Sequence, residues 1–177
     1  GNHNQIQNDS VGAGSRAVSG LIRAVRPGDE VELTAMIHEL AEFESATADC
    51  TVTETQLAEA LFGPQPTVHG HLAEVDGRAA AGALWFCNFS TWDGVAGIHL
   101  EDLFVRPQFR RRGLARALLA RLARECVDRG YTRLTWAVLD WNVDAIALYE
   151  SVGGRPQTEW ITYRVSGPDL LELAGGV

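Results

Sequence analysis

Residues 101–115 read Glu101-Asp102-Leu103-Phe104-Val105-Arg106-Pro107-Gln108-Phe109-Arg110-Arg111-Arg112-Gly113-Leu114-Ala115. An apolar strand carrying two carboxylates runs through a Pro/Arg turn and a glycine into a long helix rich in Ala, Leu and Arg. The first N–H groups of a helix have no partner inside it, and the helix dipole adds roughly half a positive charge at that end. A strand–turn–helix of this kind is built to hold phosphate. Gly113 lets the backbone approach a ligand closely, and Ala115 keeps the first turn uncrowded. Arg110, Arg111 and Arg112 add full charges. The candidate donors are the backbone N–H groups of Phe104, Val105, Arg110, Arg112, Gly113 and Ala115, with Leu114 in the same turn. Three arginines alone would read as a solvated basic turn; the strand before them and the helix after them favour the phosphate site.

Working outward, Leu21 to Val25 alternates as a short strand. Arg26-Pro27-Gly28-Asp29 stops it and caps a helix over 29–43, with Val31, Leu33, Ile37, Leu40 and Ala41 as the apolar stripe. A second helix spans 53–62, with Thr53 and Gln56 in a capping-box pattern. Strands over 68–75 and 79–89 flank Asp76-Gly77, a hairpin signal. A third strand covers 96–105. The long helix 113–129 stops before Gly130. Leu134 to Leu139 reads as a buried strand, 142–152 as a short helix begun by Asn142, and Glu159 to Val165 as a last alternating strand. A final helical turn is expected near 168–173. The order β-α-α-β-β-β-α-β-α-β predicts an α/β (α+β mixed) fold: a mixed sheet with helices on both faces.

The 177 residues fit one domain, 20–177, behind a polar Gly/Ser/Asn-rich arm, 1–19, read as disordered or as a remnant of tagging. No apolar run approaches the roughly 20 residues of a membrane helix, so no membrane partner is expected. A net charge of −8 disfavours nucleic acid and suits a cationic small substrate. Cys50, Cys87 and Cys126 are dispersed and odd in number, which fits a reducing cytoplasm better than a disulfide framework. His69 and His71 share a strand face but have no third ligand in view, so no metal is expected.

The spacing Arg110-x-x-Gly113-x-Ala115 resembles the signature of the GNAT superfamily of N-acetyltransferases. The resemblance extends through His38 to Glu44, Ser90-Thr91-Trp92, Leu100-Glu101-Asp102, Ala137 to Asn142, Leu148-Tyr149 and Gly153. Together these are similar to the diamine (spermidine/spermine) acetyltransferase branch. Ser90-Thr91-Trp92 and Val138-Leu139-Asp140-Trp141-Asn142 look closer to its thialysine N-ε-acetyltransferase members. The resemblance implies a twisted sheet splayed at the cofactor site, acetyl-CoA as cosubstrate with its pyrophosphate on the 110–115 turn, and a homodimer. It implies Glu101 as base, Asp102 orienting the amine or a water, and Tyr149 as acid. It also implies Glu44, Trp92 and Trp141 near the substrate, and Asn142 at the pantetheine arm.

The chemistry agrees with these roles. An alkyl amine of pKa near 10.4 is nucleophilic in only about one part in 10³ at pH 7, so a base or water relay is needed. A phenol of pKa about 10 stays protonated and can donate to a departing thiolate. Tyr149 lies seven residues after Asn142, two helical turns on, so both can face one cleft. One obstacle is visible: strict alternation points Glu101 and Asp102 to opposite faces. A β-bulge would bring them together. The expected reaction is direct acetyl transfer to a primary amine of a small cationic substrate. Alternatives are a protein lysine or an aminoglycoside as acceptor, or an acyl-CoA sensor without turnover.

Overall fold

The computed structural model describes residues 3–4 and 20–176. Its strands are β1 (His3–Asn4), β2 (Leu21–Ala24), β3 (His69–Val75), β4 (Arg78–Ser90), β5 (Val95–Val105) and β6 (Leu134–Trp136). Its helices are α1 (Glu30–Phe43), α2 (Glu54–Phe62), α3 (Leu114–Arg129), α4 (Val143–Ser151) and α5 (Gly167–Leu173). The expectation for residues 1–19 lies outside the described residues, apart from His3–Asn4.

Strands β2 to β5 form an antiparallel meander in sequence order, and β6 adds in parallel to β5. The β3–β4 turn has both central residues, Asp76 and Gly77, at positive φ (51° and 73°). That is the backbone a tight hairpin needs to match strand twist. Two cores sandwich the sheet. On one face, Ile98, Leu100, Leu103 and Val105 of β5 bury against Leu114, Leu118 and Leu122 of α3 and Leu148 of α4. On the other, Leu84 and Phe104 bury against Leu33, Met36 and Leu40 of α1 and Leu57 and Leu61 of α2. The mixed sheet with helices on both faces is as the element order predicted.

Three local expectations need correction. Val31 is exposed, and Met36 takes its place in the buried stripe of α1. Asp29 does not cap α1 with its side chain. Its carboxylate instead accepts from the Arg26 N–H (2.8 Å) and from the Arg23 guanidinium (2.7 Å). The stronger charge-assisted partner wins it. Finally, Glu159 to Val165 forms no strand, and every residue from Arg155 to Gly176 is exposed. Alternation supplies the pattern for a strand, but a strand exists only against a neighbour's hydrogen-bonding edge, and this segment lies along none in its own chain.

Candidate active site

The decisive local feature is in β5. Leu84 pairs with Asp102, yet Trp85 pairs with Leu100, so Glu101 is the extra residue of a β-bulge. The bulge resets the alternation. Leu100 and Leu103 stay in the α3-side core, while Asp102 moves to the α1 face beside Leu40, Leu84 and Phe104. Glu101 and Asp102 therefore face the same side, and the obstacle raised by strict alternation is removed.

The second feature is the divergence of β6. It pairs with β5 over Ile98–Leu100 against Leu134–Trp136, short of the 134–139 expected. Beyond Leu100 that edge of β5 instead carries β1, in parallel, at Asp102 and Leu103. The Arg106 N–H donates to the Ala80 carbonyl on the β4 side (2.9 Å). Strand alternation then turns the Phe104 N–H toward β4 and those of Val105 and Leu103 toward the opposite edge. Of the two strand donors read from sequence, Val105 is on that edge and Phe104 is not. Leu103 joins it, and only the identity of the pairing strand could have revealed this.

The turn into α3 has Arg111 at φ 64° and Gly113, its N-cap residue, at φ 73°. No side chain caps α3. Leu114 and Ala115 are buried in its first turn, and Arg111 and Arg112 are exposed. Arg112 lies over the Phe109 ring, 5.5 Å from its centroid, and the Arg110 N–H is spent on the Pro107 carbonyl (3.4 Å).

Asp102 Oδ1, Asn142 Nδ2 and Tyr149 Oη, all on predicted site residues, are buried polar atoms without a hydrogen-bond partner. Such atoms are uncommon in folded proteins and are enriched where a ligand completes the bonding. Asn142 uses its other side-chain atom, Oδ1, to cap α4 through the Ala145 N–H (3.3 Å). Tyr149 packs its ring on Trp136, with centroids 5.0 Å apart. Burial and then the charge of Glu44 push the Tyr149 hydroxyl well above the ordinary phenol range, so it remains a proton donor. Asp102 is pushed up to about 8 by burial, then by Glu101 and Glu44. Glu44, just past the C-terminus of α1, thus acts on both groups. Its neighbour Phe43 meets the half-exposed Trp141 at 5.8 Å, which sets Trp141 on the rim of the same site.

Trp92 does not join them. It is 91% exposed at the β4–β5 turn. At ~3.3 Å per residue it lies ~20 Å along the sheet from Glu101. Histidines 69 and 71 serve the far side: His71 Nδ1 accepts from Trp85 Nε1 (3.1 Å), and His69 stacks on the Trp85 ring. Arg106, not singled out in the sequence, donates to Glu32 and to the Ala79 carbonyl, fixing α1 over the end of β5. Among the described residues no helix is long and apolar enough to cross a membrane.

The acetyltransferase (GNAT) family model matches residues 33–154, from within the first turn of α1 to just past α4. The thialysine N-ε-acetyltransferase of Caenorhabditis elegans is 42% identical over 156 residues, covering 86% of this chain and 96% of the relative. An integron cassette protein from V. cholerae has the same fold: TM-score 0.75 at 24% identity, covering 90% of this chain and 99% of that one. A predicted acetyltransferase from Clostridium acetobutylicum, solved with acetyl-CoA, superposes at TM-score 0.65 and 15% identity over 82% of this chain and 96% of its own. The chain is therefore an N-acetyltransferase, belonging to the acetyltransferase (GNAT) family in its thialysine/diamine branch.

Proposed function

We propose that this enzyme transfers an acetyl group from acetyl-CoA to a primary amine of a small cationic substrate, a thialysine- or lysine-like amino acid or a diamine. The observation that carries this reading is the meeting of Glu44, Glu101 and Asp102 with the protonated Tyr149 hydroxyl, beside an uncapped helix N-terminus. Carboxylates select an ammonium group, and the rim indole of Trp141 suits a cation.

Acetyl-CoA supplies an activated acyl thioester. The residues present fit it: the N-terminus of α3 and the arginines suit its phosphates, and the N–H of Val105, on the edge of β5 away from β4 and past the β1 pairing, suits its amide arm. Asn142 Nδ2 is a further donor without a partner. Asp102 holds the ammonium, Glu101 accepts its proton directly or through water, and Tyr149 holds the proton that the departing thiolate needs. Tyr149→Phe should lower kcat by about 10²–10⁴-fold and leave acetyl-CoA binding unchanged.

The test of the substrate class is acetyl-CoA-dependent thiol release against thialysine, lysine, ornithine, putrescine, spermidine, spermine and an aminoglycoside. Turnover on thialysine and short amino-acid amines is expected. Preference for spermidine would move the enzyme toward the polyamine members. Silence, with acetyl-CoA still raising the melting temperature, would favour a protein substrate or a sensor.

We also propose that it works as a homodimer in which the C-terminal segments are exchanged. Residues 155–176 are exposed and carry Trp160, Ile161, Tyr163, Val165, Leu170, Leu171 and Leu173, each able to contribute ~1.5–3 kcal/mol on burial. Among the described residues β6 has a strand on one side alone. The same chain thus carries a strand-patterned arm and an open strand edge that do not meet, and a second copy supplies each to the other. Trp92 would reach a substrate only in such an assembly. Light scattering should give the dimer mass, and truncation after Gly154 the monomer. A monomer mass for the intact chain across concentrations would count against the exchange.

A further inference from the structure

We propose that His99 is a positioning residue for proton release: it takes the proton that Glu101 collects and delivers it to water near β6. The proposal rests on Glu101 as the base, and it assigns work to a residue that the reaction as written leaves idle.

His99 stands in a cross-strand row. Phe86 of β4 and Thr135 of β6 are its paired neighbours on either side. The Phe86 ring lies 5.1 Å from the imidazole, and Nδ1 bonds the Thr135 hydroxyl at 2.9 Å. These two contacts fix the ring with Nε2 facing Glu101 Oε2 at 3.9 Å. Glu101 lies two residues along β5 from His99, ahead of the register shift, so ordinary alternation puts both on the α1 side of the sheet. The gap exceeds a hydrogen bond by about 1 Å, which a side-chain rotation or one water spans.

The charge state suits the role. Burial lowers the His99 pKa, and Glu101 opposes that in part. Glu101 is the one titratable group among the described residues whose charge bears on His99; Phe86 and Thr135 contribute none. The imidazole is therefore neutral at neutral pH and can accept a proton. It also gives the proton up readily, and its side chain is 16% exposed, which leaves a route to water.

The protons balance: of the two that the ammonium nitrogen loses, one restores the Tyr149 phenol after it has protonated the thiolate, and the other follows this route. An N–H bond of the substrate ammonium breaks as O–H forms on Glu101. That O–H breaks as N–H forms at Nε2, and the imidazolium passes the proton to water or buffer base. Glu101 returns to carboxylate and His99 to neutral imidazole. Asp102, which holds the amine, has no such neighbour, and its Oδ1 is buried.

The test uses the full chain, with kcat at saturating amine and acetyl-CoA from pH 6 to 9, with and without added imidazole. His99→Gln keeps a hydrogen-bonding side chain of similar size but cannot carry the proton; His99→Ala opens space for imidazole. Both should lose about tenfold or more in kcat with the KM for acetyl-CoA unchanged. Imidazole should restore turnover to His99→Ala and not to His99→Gln. Values of kcat within twofold of the parent, or a loss in His99→Ala that imidazole does not repair, would overturn the proposal. Glu101→Gln, measured in parallel, separates the two levels. If it is inactive while the His99 variants are normal, the relay alone is wrong; if it turns over fully, the base assignment falls and the relay with it.

Discussion

The N-termini of α2 and α3 face the same physical problem and treat it in opposite ways. In α2, Thr53 Oγ1 accepts from the Gln56 N–H (3.1 Å) while Gln56 Oε1 accepts from the Thr53 N–H (3.0 Å). The end is closed by its own side chains. In α3, 16 residues long against 9 in α2, the capping position holds Gly113 and no side chain. A helix end closed by its own residues serves stability; one left to its backbone has N–H groups to offer a ligand. The acidic residues repeat the contrast. Asp29 is held low by its bonds to Arg23, whereas Asp102 is held high by burial and by like charges. Asn142 does both, capping with Oδ1 and leaving Nδ2 without a partner.

The sharpest way to break this contrast is Gly113→Val. A β-branched residue at φ 73° strains the turn and fills the approach to the α3 N–H groups. The KM for acetyl-CoA should rise by about 100-fold, equivalent to ~2.7 kcal/mol. An unchanged KM would remove the turn from the cofactor site.

Asp102→Asn should show its effect next. Its folded pKa, about 8, lies above the unfolded value of 3.8. The folded state keeps a proton that the unfolded state releases between those values, so Asp102 costs stability as pH rises from about 4 to about 8. Asp102→Asn should then melt several degrees higher than the parent at pH 8–9 and no differently at pH 4. For the amine, kcat/KM in the parent should climb through about pH 8 as the carboxyl ionises. The variant should lose that limb together with most of its activity. A pH-independent difference in melting temperature would contradict the buried-acid account.

The smallest expected effect is at the closed end. Thr53→Ala should cost ~1 kcal/mol, a fall of ~2–4 °C in melting temperature, with kcat and both KM values unaltered. A change in turnover would mean that the two helix ends are less separate than their bonding implies.

Local signals made much of this legible in the sequence. The strand–turn–helix at 101–115, the Thr53 capping box and the Asp76-Gly77 hairpin are each specified by residues a few positions apart. Even the bulge was foreshadowed, because two adjacent carboxylates cannot share a face of a regular strand. What stayed hidden depends on partners distant in the chain. Phe104 faces β4 because of which strand lies beside it. Trp92 stands apart from Glu101 because β4 and β5 form a long hairpin, and Glu159–Val165 has the alternation of a strand without an edge in its own chain.

The bulge at Glu101 carries one more consequence. Because the β4–β5 ladder steps from Leu100 to Asp102 as though Glu101 were not there, removing residue 101 would leave the register of both flanking segments intact. Leu100 and Leu103 would still meet the leucines of α3, and hydrogen bonds would still close. Folding does not count this residue, whereas the proposed chemistry rests on it. Architecture and reactivity are thus written here in separable units of sequence, with the boundary between them one amino acid wide.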